Sequence, residues 1–89
     1  MNNPEQANNY VRQSREYYQR ATEKYRGLIA QGRDLDKWYL ELGHLYYSHG
    51  DFEQAIEALR KSNAALAKKY LAVSYYRSGN FTDALEIFN

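Results

Sequence analysis

The sequence contains no cysteine and a single proline, Pro4. Without cysteine, no disulfide can staple the chain and no thiolate can bind a metal. With one proline and only five glycines in 89 residues, long helices can run without interruption. The pattern of a β-strand is also missing, because no segment alternates polar residues with β-branched ones. These absences exclude a disulfide scaffold and favour an all-α fold.

An excess of charge of one sign is missing as well, since 12 basic residues stand against 11 acidic ones, for a formal net charge of +1. Such a chain lacks the strong positive field with which proteins attract nucleic acid or anionic membranes. No apolar run approaches the roughly 20 residues that span a bilayer. We therefore expect neither nucleic-acid nor membrane partners. No signal segment is visible, which favours a cytoplasmic location. No other feature of the sequence indicates the compartment.

What the chain has instead is internal repetition. The first copy of its motif comprises Tyr39, Leu42, Gly43, Tyr46, Gly50, Asp51, Phe52, Ala55 and Leu59. The second copy comprises Leu71, Ala72, Tyr75, Gly79, Asn80, Phe81, Ala84 and Phe88, and a weaker echo comprises Tyr18, Ala21 and Tyr25. Self-similarity with a period in the tens of residues is typical of stacked helical hairpins, none of which can bury its apolar face alone.

These copies resemble the tetratricopeptide repeat, whose signature W-x2-L-G-x2-Y…A-x3-F belongs to a unit of 34 residues. Tyr39 stands in the tryptophan place of the first copy, and Lys68 stands there in the second. The resemblance implies one domain over residues 1–89, with a partial repeat over 18–33, a repeat over 34–63 and a shortened repeat over 64–89. It implies antiparallel helical hairpins, about two and a half repeats in all, and a protein that is not an enzyme.

The apolar periodicity predicts a first helix over about residues 5–31. It is expected to be an extension and not a hairpin, because Arg15-Glu16-Tyr17 stands where a Gly-Asp turn would fall. Asn3 is the expected N-cap, and Gly32 is the expected left-handed residue after the helix. The predicted apolar stripe comprises Tyr10, Val11, Ser14, Tyr17, Tyr18, Ala21, Tyr25, Leu28 and Ile29.

A second helix is predicted to begin after Asp34 or Asp36, either of which can cap it, and to end near Ser48. Gly43 in its middle lowers helix propensity, so we expect a neighbouring helix to approach closely there. Asp51 is expected to cap the third helix in an arrangement like a capping box, with Gln54 three residues later, and Asn80 to cap the last one.

The middle of the chain allows two interpretations. Ala21 and Ala55 are 34 residues apart, whereas Ala55 and Ala84 are 29 apart, so five residues are missing between the last two copies. Either a short break near Ser62-Asn63 separates two helices, or one fused helix runs over residues 52–78. Fused helices must find their partners in another chain, which would produce a domain-swapped homodimer.

The resemblance further implies that the first helix of each hairpin lines a concave surface that binds a peptide or a partner helix. The positions expected to bind the partner are Lys37, Leu40, His44, Tyr47, Lys69, Val73, Tyr76 and Arg77. The alternative for Leu40 and Val73 is packing against a neighbouring helix. The predicted function is that of a protein-binding scaffold, and the alternative is a self-associating fragment with a structural role.

Other functions find little support in the residues. His44 and His49 lack a cysteine or a carboxylate pair that would complete a zinc site, so neither a metal nor a cofactor is expected. The carboxylates could suggest acid–base chemistry, but no nucleophile, histidine partner or phosphate-binding loop accompanies them in the sequence. Basic residues near tyrosines can bind single-stranded nucleic acid, but the near-zero net charge opposes that interpretation. These basic residues are Arg60, Lys61, Lys68, Lys69 and Arg77.

Overall fold

The computed structural model describes the backbone of residues 4–88 and the side chains of residues 11–87. Within residues 4–88 the chain forms five helices and no strand, so the predicted all-α fold is confirmed. The helices are α1 (Pro4–Ala30), α2 (Leu35–Ser48), α3 (Phe52–Leu59), α4 (Ala65–Arg77) and α5 (Phe81–Phe88). Each helix packs against the next, and α4 also packs against α2.

α1 is one uninterrupted helix, as the missing Gly-Asp turn predicted. It begins at Pro4, and Gly32 beyond its end has a left-handed φ of 75°. The predicted cap at Asn3 and the side chain of Tyr10 lie outside the described residues. The prediction of a long amino-terminal extension is therefore confirmed, and so is the role of Gly32.

The predicted apolar stripe of α1 is wrong in its first half. Val11 is 55% exposed, Tyr17 is 74% exposed, and Ser14 is exposed as well. At 1.5 Å per residue, α1 is roughly 40 Å long and its partner α2 is roughly 21 Å long. α2 can therefore cover only the carboxyl-terminal half of α1, where Tyr18 and Tyr25 pack against the core.

The core lies where α2 crosses α3 and continues onto α4. Its buried members are Leu42, Tyr46, Ala55, Ala58, Leu59 and Ala67. Gly43 is buried at the crossing, and a Cβ built on it would lie 2.5 Å from Cγ of Leu59. The predicted close approach at Gly43 is confirmed. The small residues Ala55 of α3 and Ala84 of α5 are buried as well.

The connection between α3 and α4 is a break in the helix. The interpretation with one fused helix over residues 52–78 is therefore wrong. The Ser62 hydroxyl donates to the Asp36 carbonyl oxygen at 2.7 Å, and the Asn63 backbone N–H donates to Asp36 Oδ1 at 2.9 Å. The Ala64 N–H donates to Ser62 Oγ at 3.2 Å. These bonds hold the connection in a non-helical conformation at the start of α2. The domain-swapped homodimer belonged to the interpretation with a fused helix, and it loses its structural basis with that helix.

The two turns that follow α2 and α4 have the same geometry. Gly50 and Gly79 have φ values of 82° and 88°, in the left-handed region that glycine enters without strain. Each turn closes with two hydrogen bonds of the Schellman type. In the turn after α2, the Gly50 N–H donates to the Tyr47 carbonyl oxygen at 3.0 Å and the Asp51 N–H donates to that of Tyr46 at 2.9 Å. In the turn after α4, the Gly79 N–H donates to the Tyr76 carbonyl oxygen at 3.2 Å and the Asn80 N–H donates to that of Tyr75 at 2.8 Å.

The side-chain caps predicted at Asp34 and Asp51 do not form. Asp34 precedes α2 with a left-handed φ of 52°, and its carboxylate makes no hydrogen bond to the helix. The Asp51 carboxylate instead accepts hydrogen bonds from Tyr18 OH at 3.1 Å and from Gln54 Nε2 at 3.5 Å. Asp36 also caps no backbone group of α2, because its carboxylate is bound to Asn63 across the fold. Asp36 and Asp51 thus bind groups far along the chain, at Asn63 and Tyr18, in addition to the bond between Asp51 and Gln54.

Candidate functional site

Four side chains of α2 and α4 meet on one surface, which we call the α2–α4 surface. The rings of His44 and Tyr70 lie 4.8 Å apart, those of Tyr47 and Tyr70 lie 5.5 Å apart, and the Arg77 guanidinium lies 6.0 Å from the Tyr47 ring. The fully buried Ala67 brings α4 against the core and so places Tyr70 opposite α2. Three of the four were predicted site residues, and Tyr70 was missed.

The other predicted residues of these helices are spread around the α2–α4 surface. Leu40 is half-buried and packs against the core, which was the alternative interpretation for this position. The Lys37 ammonium lies 4.8 Å from the ring of Trp38, which contacts Tyr25 of α1. Lys69 is exposed beside Tyr70 in the sequence. Lys37 therefore lies beside an aromatic contact with α1, and Leu40 packs against the core.

Val73 and Tyr76 belong to a separate feature, the groove between α4 and α5, which we call the α4–α5 groove. Its volume is about 430 Å³, and the atoms that line it are apolar. It is lined by Ala72, Val73, Tyr76, Phe81, Ala84 and Leu85. Three of its large side chains remain open to solvent, since Tyr76 is 63% exposed, Phe81 57% and Leu85 66%.

A third cluster, around Tyr18, was not predicted as a site. The ring of Tyr18 stacks on His49 with centroids 3.8 Å apart, and its hydroxyl donates to Asp51. Burial raises the pKa of Tyr18 to about 12, and the hydrogen bond to Asp51 and the negative charge of Asp51 act in the same direction. Tyr18 lies 34 residues before Phe52 and so fits the repeat spacing, but this spacing carried no signal for the contacts of Tyr18 with the turn.

Both histidines lie against tyrosine rings, and the carboxylates of Glu53, Glu57 and Asp83 are exposed. No group of three or more histidines and carboxylates among these residues could hold a metal ion. What the arrangement offers chemically is aromatic and apolar surface with a few positive charges at its edge.

The repeated hairpins agree with the comparisons with known proteins. The family model described as tetratricopeptide repeat matches residues 40–89, which include the larger part of α2 and the whole of α3, α4 and α5. The chain belongs to the tetratricopeptide repeat family. Comparison with curated proteins and with solved structures gave no match. Tetratricopeptide repeats are in general protein–protein interaction modules and are typically not catalytic.

In this tetratricopeptide repeat chain two of the basic residues, Lys61 and Arg77, lie over different tyrosine rings of α2. The Lys61 ammonium lies 5.6 Å from the ring of Tyr39, whereas Arg77 lies over Tyr47. The two tyrosines that these cations contact lie two turns apart along α2. Across the part of the chain that the structure describes, no helix combines the length and the apolarity that crossing a membrane requires.

Proposed function

We propose that this tetratricopeptide repeat chain is a non-enzymatic interaction module that binds a segment of another polypeptide on the α2–α4 surface. The observation that supports this function is the aromatic cluster of His44, Tyr47 and Tyr70 with the Arg77 guanidinium at its edge. Family membership supports the general class of protein-binding modules. The position of the cluster on the first helices of two successive hairpins supports the location.

The composition of the surface favours a partner segment with an apolar or aromatic side chain and a negative charge. Tyrosine rings supply a large contact area and lose little conformational entropy on binding, and tyrosine and arginine are enriched among the residues that dominate binding energies. Arg77 and Lys69 would meet a carboxylate of the partner at the rim. We expect the rings to supply affinity and the cations to set orientation.

Selection from a library of random peptides displayed on phage, with the whole chain as the target, tests this proposal. Selected peptides are synthesised, and their dissociation constants are measured by fluorescence anisotropy. We expect His44→Glu and Arg77→Ala each to weaken binding by about tenfold, the effect typical of a central interface residue. Arg60→Ala is the matched control, because Arg60 is exposed and lies after α3, and it should change affinity less than about twofold.

Two results would contradict the proposal. One is a library that yields no peptide whose binding depends on the folded chain. The other is a set of peptides that bind the His44→Glu, Arg77→Ala and Arg60→Ala variants equally well, since binding would then take place away from the α2–α4 surface.

Self-association with a structural role is the second candidate. It is supported by the open, apolar α4–α5 groove, because exposed apolar surface of this kind is typical of association sites. Its test is the mass of the chain in sedimentation equilibrium over a wide range of concentration. A dimer would favour this candidate, and a monomer at every concentration would exclude it.

A further inference from the structure

We propose that a cavity between α1 and α3 binds a small carboxylic acid, that is, one carboxylate on a short apolar or aromatic body. Arg26 of α1, Tyr46 of α2 and Ala58 of α3 line this cavity together, and we call it the α1–α3 cavity. Its volume is about 240 Å³. It is distinct from the α2–α4 surface of the proposed function and from the α4–α5 groove.

The cavity exists because two helices share one neighbour. α1 and α3 each pack against α2, but within the part of the chain that the structure describes they do not pack against each other. Tyr39, Leu42 and Tyr46 all line the gap that remains. They are three and four positions apart on α2 and so share one face of that helix, whereas His44 and Tyr47 lie on another. A ligand in the cavity therefore leaves the α2–α4 surface free.

The polar part of the cavity brings two hydrogen-bond donors side by side. The Arg26 guanidinium donates to the Tyr46 hydroxyl, which joins α1 to α2. Tyr46 is only 4% exposed, and among the described residues its own O–H finds no acceptor. A hydroxyl can donate while it accepts, and a guanidinium carries further N–H donors. Because a buried donor without a partner is costly, this place favours an acceptor supplied by a ligand.

A carboxylate suits these donors better than a neutral acceptor does. Its two oxygens can accept from the Tyr46 O–H and from a second N–H of Arg26 at the same time. Hydrogen bonds to a charged group are also roughly twice as strong as neutral ones. Lys61, whose ammonium lies 5.6 Å from the Tyr39 ring, adds a second positive charge to the lining, and Glu57 adds a negative one. The positive charges thus outnumber the negative charge, which favours an anion over a cation.

The rest of the lining favours an apolar body of limited size. Ile29, Leu42 and Ala58 contribute aliphatic groups, and Tyr39 contributes its ring. Burial of an apolar body against these groups adds affinity that charges open to solvent do not supply. The volume of about 240 Å³ lies below the roughly 300–1,000 Å³ of pockets for drug-sized ligands, so the ligand is small. A phenyl ring on a short chain that ends in a carboxylate has the required parts.

The experiment titrates the isotope-labelled whole chain with hydrocinnamate, a molecule of that kind, and follows the backbone amide resonances. We expect saturable shifts that are centred on Ile29, Leu42 and Ala58. Hydrocinnamamide is the matched ligand control, because it has the same body and a neutral amide in the place of the carboxylate. It should bind about tenfold more weakly, since it forms no hydrogen bond to a charged acceptor.

Two substitutions remove the two donors separately. Tyr46→Phe keeps the ring in the core and removes the O–H, and Arg26→Gln removes the guanidinium. Each should weaken hydrocinnamate binding by about tenfold. Arg20→Gln is the matched control, because Arg20 is an exposed residue of α1 outside the cavity, and it should change affinity less than about twofold. Glu57→Gln should strengthen binding, because the carboxylate of Glu57 repels the ligand.

A second measurement uses stability, because a ligand that binds only the folded chain raises the free energy of unfolding. Saturating hydrocinnamate should raise the thermal midpoint of the unmodified chain and of Arg20→Gln, and it should raise that of Arg26→Gln much less. The cooperative transition of each variant without ligand shows that the variant is folded, so a loss of binding is not mistaken for a loss of structure.

Three results would overturn the proposal. One is the absence both of saturable shifts and of a rise in the thermal midpoint. Another is equal binding of hydrocinnamate and hydrocinnamamide, since the cavity would then select no charge. The third is a set of shifts centred on Val73 and Leu85, because the acid would then occupy the apolar α4–α5 groove.

Discussion

Gly43 of α2 lies directly against Leu59 of α3. A Cβ on residue 43 would lie 2.5 Å from Cγ, 2.6 Å from Cδ2 and 3.4 Å from the backbone nitrogen of Leu59. Leu59 is 1% exposed and surrounded by other core residues, so its side chain has little room to move away. The missing side chain at position 43 is therefore the reason that this hairpin can close.

Gly43→Ala should destabilise the chain by about 1–3 kcal/mol, the usual cost of overpacking a core. The contact with Leu59 outweighs the gain of up to about 1 kcal/mol that alanine brings to a helix interior. The measurement is urea unfolding followed by circular dichroism. A midpoint equal to or above that of the unmodified chain would contradict the packing argument.

Gly27→Ala is the matched control for that prediction. Gly27 also lies inside a helix, but a Cβ on it would have no atom within 4 Å. This substitution should stabilise the chain by up to about 1 kcal/mol through helix propensity and the unfolded state. If the two alanine variants shift stability in the same direction, propensity and not the contact with Leu59 controls the effect of Gly43.

Ser62→Ala should destabilise the chain by about 1–2 kcal/mol, because the buried hydroxyl donates to the Asp36 carbonyl and accepts from the Ala64 N–H. Hydrogen exchange should show faster exchange at Asn63. Ser78→Ala removes an exposed hydroxyl that donates to the Tyr75 carbonyl, and it should cost a few tenths of a kcal/mol. Equal losses in the two variants would mean that the bonds to Asp36 do not hold the break.

Stability should fall as the pH rises from about 10 toward 12. Since the pKa of Tyr18 is raised to about 12 from the 10.0 of a free tyrosine, the folded chain holds its proton more tightly than the unfolded chain. The contribution of Tyr18 to the free energy of unfolding is complete below pH 10. It is lost as the pH rises through the pKa that Tyr18 has in the folded chain. Thermal unfolding over this pH range should show a decline that is smaller in Tyr18→Phe.

The difference in ultraviolet absorbance between the unmodified chain and Tyr18→Phe isolates this titration. Its midpoint should lie near 12, and Asp51→Asn should lower it, because the asparagine keeps an acceptor oxygen but removes the negative charge. A difference titration with its midpoint at 10, or one that Asp51→Asn leaves in place, would mean that the contact with Asp51 does not hold the proton.

Asp34→Gly should stabilise the chain by a few tenths of a kcal/mol to about 1 kcal/mol. Asp34 has a φ of 52° and makes no side-chain cap, so glycine would relieve backbone strain without losing a hydrogen bond to the helix. Gly50→Ala is the reverse change at a φ of 82°, and it should destabilise by about 1 kcal/mol or more. Thermal midpoints of both variants check this, and a loss of stability in Asp34→Gly would show that its carboxylate has a role.

Much of the fold could be predicted because it depends on local pattern. Periodicity indicated the all-helical fold but left open whether α3 and α4 are separate, the glycines at 50 and 79 marked the turns, and Gly43 predicted the close approach of a neighbouring helix, which is α3. The exposure of Val11 and Tyr17 could not be predicted, since a helix pattern does not reveal how far its partner extends. The partners of Asp36 and Asp51 were missed for a related reason: the groups that bind them are 27 and 33 residues away in the chain.

The candidate site was predicted only in part. The repeat signature places positions 44, 47 and 77 on the first helices, and the structure brings them together with Tyr70. It also separates Val73 and Tyr76 into the α4–α5 groove, because these two face the second helix of their own hairpin. One helix carries both sets, and helical position alone does not indicate which neighbour each side chain meets.

The sequence by itself determined the all-helical fold class, the turns and the repeat class, because these follow from the spacing of small, apolar and glycine residues along one chain. Only the tertiary structure decided that residues 60–64 form a break, that residues 11–17 of α1 are uncovered and that the aromatic pair of Tyr47 and Phe52 is half-buried while the equivalent pair between α4 and α5 is open. These features depend on contacts between residues far apart in the chain, and their energies arise only once the helices have packed.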